Sequence, residues 1–178
     1  MVRNCIDDQI VIFEDEAGFS LHPKLGRMWC KRGTAHQPVV YTQSQHQQRL
    51  NVFGWVDPVF GRHGMIRCAR GNSEGFVRVL THLVRTWKNK TIHLWVDRAR
   101  WHRGRRIKNF CAAHRQLQLR YIPAYHPELN YQEILWRMMR YEETTNTYFE
   151  TLDELASSVF KRSQRWKPAK VKSLCHHI

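Results

Sequence analysis

Three acidic residues stand where the side chains of a folded protein can meet to do chemistry. We place Asp15 at the C-terminal end of a first strand, Asp97 at the C-terminal end of a later strand, and Glu133 in the first turn of a helix. If the two strands are neighbours in an open sheet, their carboxyl ends meet at one edge and the acids converge there. Clustered carboxylates repel one another unless cations bind, and hard oxygen ligands select Mg²⁺ or Mn²⁺. Two such ions about 3.5–4 Å apart support phosphodiester cleavage.

Each acid also has a structural explanation. Asp15 could be a solvated acid at a strand end, since Glu14 and Glu16 flank it. Asp97 could close a turn or pair with a neighbouring arginine. Glu133 follows Asn130 at the spacing of a capping box. Spacing and charge alone leave these interpretations and the metal-binding one equally open.

The charge distribution indicates a polyanionic partner. The 178 residues include 29 Lys and Arg against 15 Asp and Glu, which gives a formal net charge of +14. Residues 17–127 contain 20 Lys and Arg but three acids, and arginine outnumbers lysine there. Arginine binds phosphate through paired hydrogen bonds and stacks on aromatic rings, so this segment favours nucleic acid over a merely basic surface.

The remaining composition excludes other classes of protein. Mean hydropathy is −0.60 and the apolar runs are short, so we expect no membrane span. The first residues lack the layout of a signal peptide, and five cysteines without a CxxC pair argue against a disulfide framework. We therefore expect a reducing, cytoplasmic compartment.

Hydrophobic periodicity predicts the elements that must position the acids. The predicted strands are short apolar or alternating runs at residues 9–13, 27–31, 50–56, 65–68, 91–96 and 117–122. The predicted helices have an apolar face or a capping residue, and comprise 73–87, 103–114, one from Asn130 and one from Thr151. Leading strands followed by helix–strand alternation predict a mixed sheet with helices on both faces. Residues 161–178 are predicted to form a weakly patterned basic tail, and we expect residues 1–178 to form a single domain.

Four segments, 13–19, 51–55, 94–102 and 121–136, have the order and spacing of a known family. Across roughly residues 9–156 the chain resembles the catalytic domain of DDE transposases, in the mariner-related branch that includes bacterial insertion sequences. The 35 residues between Asp97 and Glu133 are close to the interval in that family.

The resemblance implies a ribonuclease H-like α/β fold, with a mixed five-stranded sheet and helices on both faces. Asp15, Asp97 and Glu133 match the catalytic, metal-binding acids of the family, which implies two Mg²⁺ or Mn²⁺ ions. Water would attack a phosphodiester at an element end, and the freed 3′-hydroxyl would then attack target DNA. The alternatives are an inactive DNA-binding remnant of this fold and a nuclease without strand transfer.

The resemblance also implies partners. His102 matches a histidine that follows the second acid in this branch, and we expect it near the bound strand. The expected DNA contacts are Arg98, Arg100, His102, Arg103, Arg105 and Arg106. Transposases of this kind act as dimers or larger assemblies, which implies a homodimer on DNA in the bacterial nucleoid.

The chain departs from the pattern of the family at two places. Arg98 stands where the family usually has Asn, and a cation there can compete with the metal or bind phosphate. Tyr131-Gln132 interrupts the usual Asn-Pro-x-Glu, which removes a preset φ but keeps the cap. The family also carries N-terminal helix-turn-helix modules. Since the sequence begins just before the first strand, we expect those modules to be absent and the chain to be a catalytic-domain fragment or the remnant of a decayed element.

Overall fold

A mixed five-stranded sheet forms the centre of the computed structural model, which describes residues 8–41 and 48–176. The strands are β1 (Gln9–Ser20), β2 (Arg49–Asp57), β3 (Arg62–Cys68), β4 (Thr91–Val96) and β5 (Leu117–Tyr121), in the order β3-β2-β1-β4-β5. The central strand β1 pairs antiparallel with β2 and parallel with β4, and β5 continues the parallel half. The predicted mixed sheet is therefore confirmed.

Helices cover both faces of this sheet, as predicted. They are α1 (Ser73–Thr86), α2 (Arg105–Ala113), α3 (Tyr131–Met139), α4 (Leu152–Arg165) and α5 (Pro168–Cys175), with a π-helical turn at Arg140–Thr144 and 3-10 turns at Thr34–His36, Arg100–His102 and Pro127–Leu129. One buried cluster joins α1 and α2 to the sheet, and a second joins α3, α4 and α5 to its other face. None of the helices in the described part of the chain is long and apolar enough to span a bilayer.

The alternation of side chains along β1 determines what each face receives. Ile10 and Ile12 point into the core under α1, whereas Phe13, Ala17 and Phe19 belong to the core under α3. Because successive strand residues point to opposite faces, each core takes every second residue of β1. The acids that follow Phe13 are divided between the two faces in the same way.

The first strand is longer than predicted, and Asp15 does not lie at its end. Parallel pairing with β4 stops at Phe13 and Trp95, but antiparallel pairing with β2 continues to Ser20 opposite Arg49. Pairing with β2 keeps the backbone of β1 extended through the acidic residues 14–16. Asp15 therefore lies within β1, just beyond the last residue that β4 covers.

Two other predictions about elements are wrong. Residues 27–31 form no strand, and Trp29 is fully exposed, because this segment leaves the sheet between β1 and β2. The expected basic tail instead contains the end of α4 and all of α5, where Val171 and Cys175 are buried in the core. Residues 177–178 lie outside the described part of the chain.

Candidate active site

Asp15 is placed by β1 on the face that α3 covers. Its cross-strand partner in β2 is Gly54. A Cβ atom at Gly54 would lie 2.4 Å from the ring of Trp136 and 2.6 Å from Nε2 of Gln132. The glycine is therefore required for the close approach of α3 to the sheet, and this approach brings Glu133, one turn before Trp136, towards Asp15.

Asp97 directly follows β4, and its carboxylate is fixed by two contacts. Oδ1 of Asp97 accepts a hydrogen bond from the backbone N–H of Ala99 at 2.8 Å and lies 2.8 Å from Nδ1 of His102. The hydrogen bond from Ala99 agrees with the interpretation of Asp97 as a turn residue, but the contact with His102 goes beyond it. Among the described residues its ionic partner is His102 and not Arg98 or Arg100. The hydrogen bond with His102 lowers the pKa of Asp97, while its side chain remains 53% exposed.

Glu133 lies in the first turn of α3, which Asn130 caps. Oδ1 of Asn130 accepts from the N–H of Gln132 at 3.1 Å, and its Nδ2 donates to the carbonyl oxygen of Glu14 at 3.0 Å, which ties the helix start to β1. The backbone N–H of Asn130 donates to the carbonyl oxygen of Pro127 at 2.9 Å. A capping box would use that N–H for Glu133, so the carboxylate does not have this structural role.

The three acids line one open cavity of about 300 Å³, with Arg98, Asn130 and the segment 122–127 as its other walls. Burial, then the charge of Glu133 and those of Glu16 and Asp97, raises the pKa of Asp15 to about 8. Oδ2 of Asp15 is buried and has no hydrogen-bond partner. Crowded carboxylates with an unpartnered oxygen fit a hard divalent cation, which would satisfy that oxygen and relieve the repulsion.

The structure accommodates both departures from the family pattern. Tyr131 packs edge-on against Phe13, with ring centroids 4.7 Å apart, and Gln132 is buried beside Gly54. These contacts and the cap form α3 without the usual proline. Arg98 is exposed on the cavity wall, and its Nε donates to the carbonyl oxygen of Ile122 at 3.4 Å.

The predicted DNA contacts divide into exposed arginines and one buried histidine. The exposed residues are Arg98, Arg100, Arg103, Arg105 and Arg106. The guanidinium of Arg103 donates to the carbonyl oxygen of Arg98 at 2.6 Å, which folds the segment after β4 back on itself. Arg105 and Arg106 form the first turn of α2, where no acid is present.

His102 does not lie where we expected it. Its side chain is 0% exposed and packs on Phe76, with ring centroids 4.3 Å apart. A buried imidazole cannot contact a DNA strand, so that expectation is wrong. Burial opposes its charge, but the contact with Asp97 and the nearby carboxylates of Glu16 and Glu14 raise the pKa of His102 to about 10.

Glu14 and Glu16, which sequence reasoning treated as flanking solvated acids, are the other partners of His102. Burial first, and then the charge of Glu16, raises the pKa of Glu14 well above its usual range. One sequence signal could have identified Glu14: it continues the alternation of Ile10 and Ile12, whose side chains point into the core.

The chain has recognisable relatives. Residues 10–156 match the family described as DDE superfamily endonuclease. The chain is 28% identical over 159 residues to the insertion element IS630 uncharacterized 39 kDa protein of Shigella sonnei, a match that covers 87% of this chain and 45% of the relative. The chain thus spans about half the length of that relative.

Solved structures share the fold at low sequence identity. The Mos1 mariner paired end complex with Mn has a TM-score of 0.70 and 14% identity, over 93% of this chain and 51% of that one. The catalytic domain of Mos1 mariner transposase has a TM-score of 0.65 and 12% identity, over 96% of this chain and 77% of that one. These similarities confirm the ribonuclease H-like fold. Because the family match covers most of the chain, including the three acids of the cavity, the chain belongs to the DDE superfamily endonucleases.

Proposed function

We propose that the chain is the catalytic domain of a transposase that cuts DNA at the ends of a mobile element and joins the cut strand to target DNA. The observation that carries this proposal is the meeting of Asp15, Asp97 and Glu133 around one open cavity in a chain of this family. The relative in Shigella sonnei is an insertion-element protein, and one of the similar Mos1 structures contains Mn.

Asp15, Asp97 and Glu133 would hold the divalent ions, which we propose are two Mg²⁺ or Mn²⁺. Bound there, such ions supply Lewis-acid stabilisation of the attacking and leaving oxygens of a phosphodiester. The chain itself supplies orientation. The contacts with Ala99 and His102 hold the carboxylate of Asp97, and Asn130 fixes the start of the helix that carries Glu133.

The exposed arginines would hold the DNA backbone beside the acids. Arg105 and Arg106 occupy the start of α2, where positive side chains are unfavourable unless an anion is bound. The backbone N–H groups at the start of this helix and the two guanidinium groups together suit a phosphate. The chain spans 45% of its insertion-element relative. Recognition of element ends and assembly of a homodimer are therefore also part of what we propose, and not findings about this chain.

We expect the double variant Arg105→Ala/Arg106→Ala to bind duplex DNA more weakly and with a flatter salt dependence. Loss of two phosphate contacts would reduce the slope of log K against log salt by about 2. Fluorescence anisotropy at several salt concentrations measures this slope. Arg85→Ala/Lys88→Ala is the matched control, because these exposed cations lie near the start of β4, at the opposite end of that strand from Asp97. Equal slopes for both double variants would contradict the assignment.

Strand transfer is tested with a labelled duplex that has a free 3′-hydroxyl end, a supercoiled target plasmid and either metal. We expect metal-dependent nicking and a joined product of duplex and plasmid. Nicking without joining would contradict the transposase assignment and indicate a nuclease of the same fold. Metal-independent DNA binding with no cleavage would indicate the inactive DNA-binding alternative. Arg98 at the wall of the cavity favours that alternative, because a cation there can compete with the metal.

A further inference from the structure

A second group of metal-ligand side chains lies on the face of β1 opposite to Asp15. Glu14, Glu16 and His102 each offer a ligand atom, and these atoms all lie within 4.8 Å of one another. Nε2 of His102 is 3.2 Å from Oε1 of Glu16 and 3.6 Å from Oε2 of Glu14. We call these three residues the Glu14 cluster.

The Glu14 cluster is buried, and three of its polar atoms lack a hydrogen-bond partner. The side chains of Glu14 and His102 are 0% exposed, and that of Glu16 is 18% exposed. Both carboxylate oxygens of Glu14 and Nε2 of His102 are buried without a hydrogen bond of good geometry. Among the described residues, His102 is the one cationic side chain within 4.0 Å of either glutamate. Burying a carboxylate without compensation costs several kcal/mol, so these atoms are arranged for a partner of positive charge.

The distances suit a small transition-metal ion. Ligands 2.0–2.2 Å from a tetrahedral ion lie about 3.4 Å from one another. The two measured separations from Nε2 of His102, 3.2 and 3.6 Å, bracket that value. Two of the three separations between the ligand atoms therefore already suit an ion, and all three atoms lie within 4.8 Å of one another.

Groups around the cluster orient the ligands. Nδ1 of His102 lies 2.8 Å from Oδ1 of Asp97, so a proton on Nδ1 leaves Nε2 free to bind. Metal-binding histidines commonly donate their second N–H to a carboxylate in this way. The indole N–H of Trp101 donates to Oε1 of Glu16 and holds that side chain in position.

We propose that Glu14, Glu16 and His102 bind one Zn²⁺ ion at a site separate from the acids of the cavity. Imidazole with two carboxylates suits Zn²⁺ better than Mg²⁺, which prefers oxygen ligands alone. The two carboxylate charges balance the ion, which takes the place of the proton on Nε2, and that proton leaves to solvent. Zn²⁺ here would join β1 to the turn at Arg100–His102 and, through His102, support Asp97.

Calorimetric titration of the whole chain with Zn²⁺ alone, in a chelator-free buffer, tests this site. We expect the unmodified chain and Glu133→Gln to share one Zn²⁺-binding event of similar affinity. Glu14→Gln should weaken that event by at least about 100-fold, because it removes a charged ligand. In a thermal melt, Zn²⁺ should raise the Tm of the first two proteins but not of Glu14→Gln.

The two metal sites can be separated by a second titration. Mg²⁺ binding should be lost in Glu133→Gln and retained in Glu14→Gln, so a failure at the cavity would leave the Zn²⁺ result intact. If Glu14→Gln does not fold without metal, the partly exposed Glu16→Gln replaces it under the same criteria. No stoichiometric Zn²⁺ binding, or equal binding by the glutamate variant and the parent, would overturn the proposal and leave a cluster held by protons.

Discussion

Asp97→Asn is expected to reduce metal-dependent nicking of supercoiled DNA by about 1,000-fold. The substitution removes a charged metal ligand, and the bound metal is expected to stabilise the transition state by several kcal/mol. The amide keeps an oxygen that can accept the N–H of Ala99, so the turn should survive. DNA affinity should be retained, since the exposed arginines are unchanged. Agarose-gel nicking assays in Mg²⁺ and Mn²⁺, paired with anisotropy, measure the two quantities.

Glu133→Gln should give the same loss of nicking. Because Glu133 does not contact His102, this variant tests metal binding without disturbing the contact between Asp97 and the Glu14 cluster. Glu128→Gln is the matched control: Glu128 lies on the neighbouring turn Pro127–Leu129, is exposed, and contacts His126 without lining the cavity. Nicking by Asp97→Asn at the rate of the parent would end the enzyme assignment. Loss of nicking in Glu128→Gln would show that the effect is not specific to the triad.

Trp136→Ala is expected to lower the free energy of unfolding by about 3–5 kcal/mol, because it empties a large buried site. The side chain of Trp136 is 1% exposed, packs edge-on to Phe19 at 5.8 Å between centroids, and lies against Gly54. Since Trp136 lies one turn after Glu133, the empty space left by the indole should also make the position of Glu133 less fixed. Urea denaturation followed by circular dichroism measures the loss.

Two other substitutions bracket this result. Trp136→Phe keeps an aromatic ring and should cost less than the alanine variant. Trp29→Ala removes a fully exposed indole and should leave stability within about 0.5 kcal/mol of the parent. If Trp136→Ala proved as mild as Trp29→Ala, the close packing of α3 on the sheet would be refuted.

Local periodicity predicted those elements whose burial follows a simple repeat. The helix around Phe76, Leu80 and Leu83 has one apolar face, and all three side chains are fully buried in α1. The helix cap at Thr151 also forms: its Oγ1 accepts from the backbone N–H of Glu154 at 3.2 Å, while Oε2 of Glu154 accepts from the backbone N–H of Glu150 at 2.9 Å rather than from that of Thr151. Such signals depend on residues a few positions apart, so the sequence displays them directly.

Features set by distant residues escaped the same reasoning. The length of β1 depends on pairing with β2, and the paired residues lie 29 positions apart at Ser20 and Arg49 and 43 apart at Phe13 and Val56. Residues 27–31 contain a short apolar run typical of a strand, but they pair with no strand in the described part of the chain. The contact of Glu14 with His102 joins segments on either side of three strands and a helix, and no local pattern specifies it.

The alternation of carboxylates in β1 has a consequence for how this protein can change. Asp15 faces the cavity while Glu14 and Glu16 face the buried histidine, and a single ladder to β2 sets both directions. Insertion or deletion of one residue before Glu14 would exchange the two faces at once. Substitutions can therefore change these neighbouring positions one at a time. Insertion or deletion of a single residue there would instead misplace both sets of ligands together.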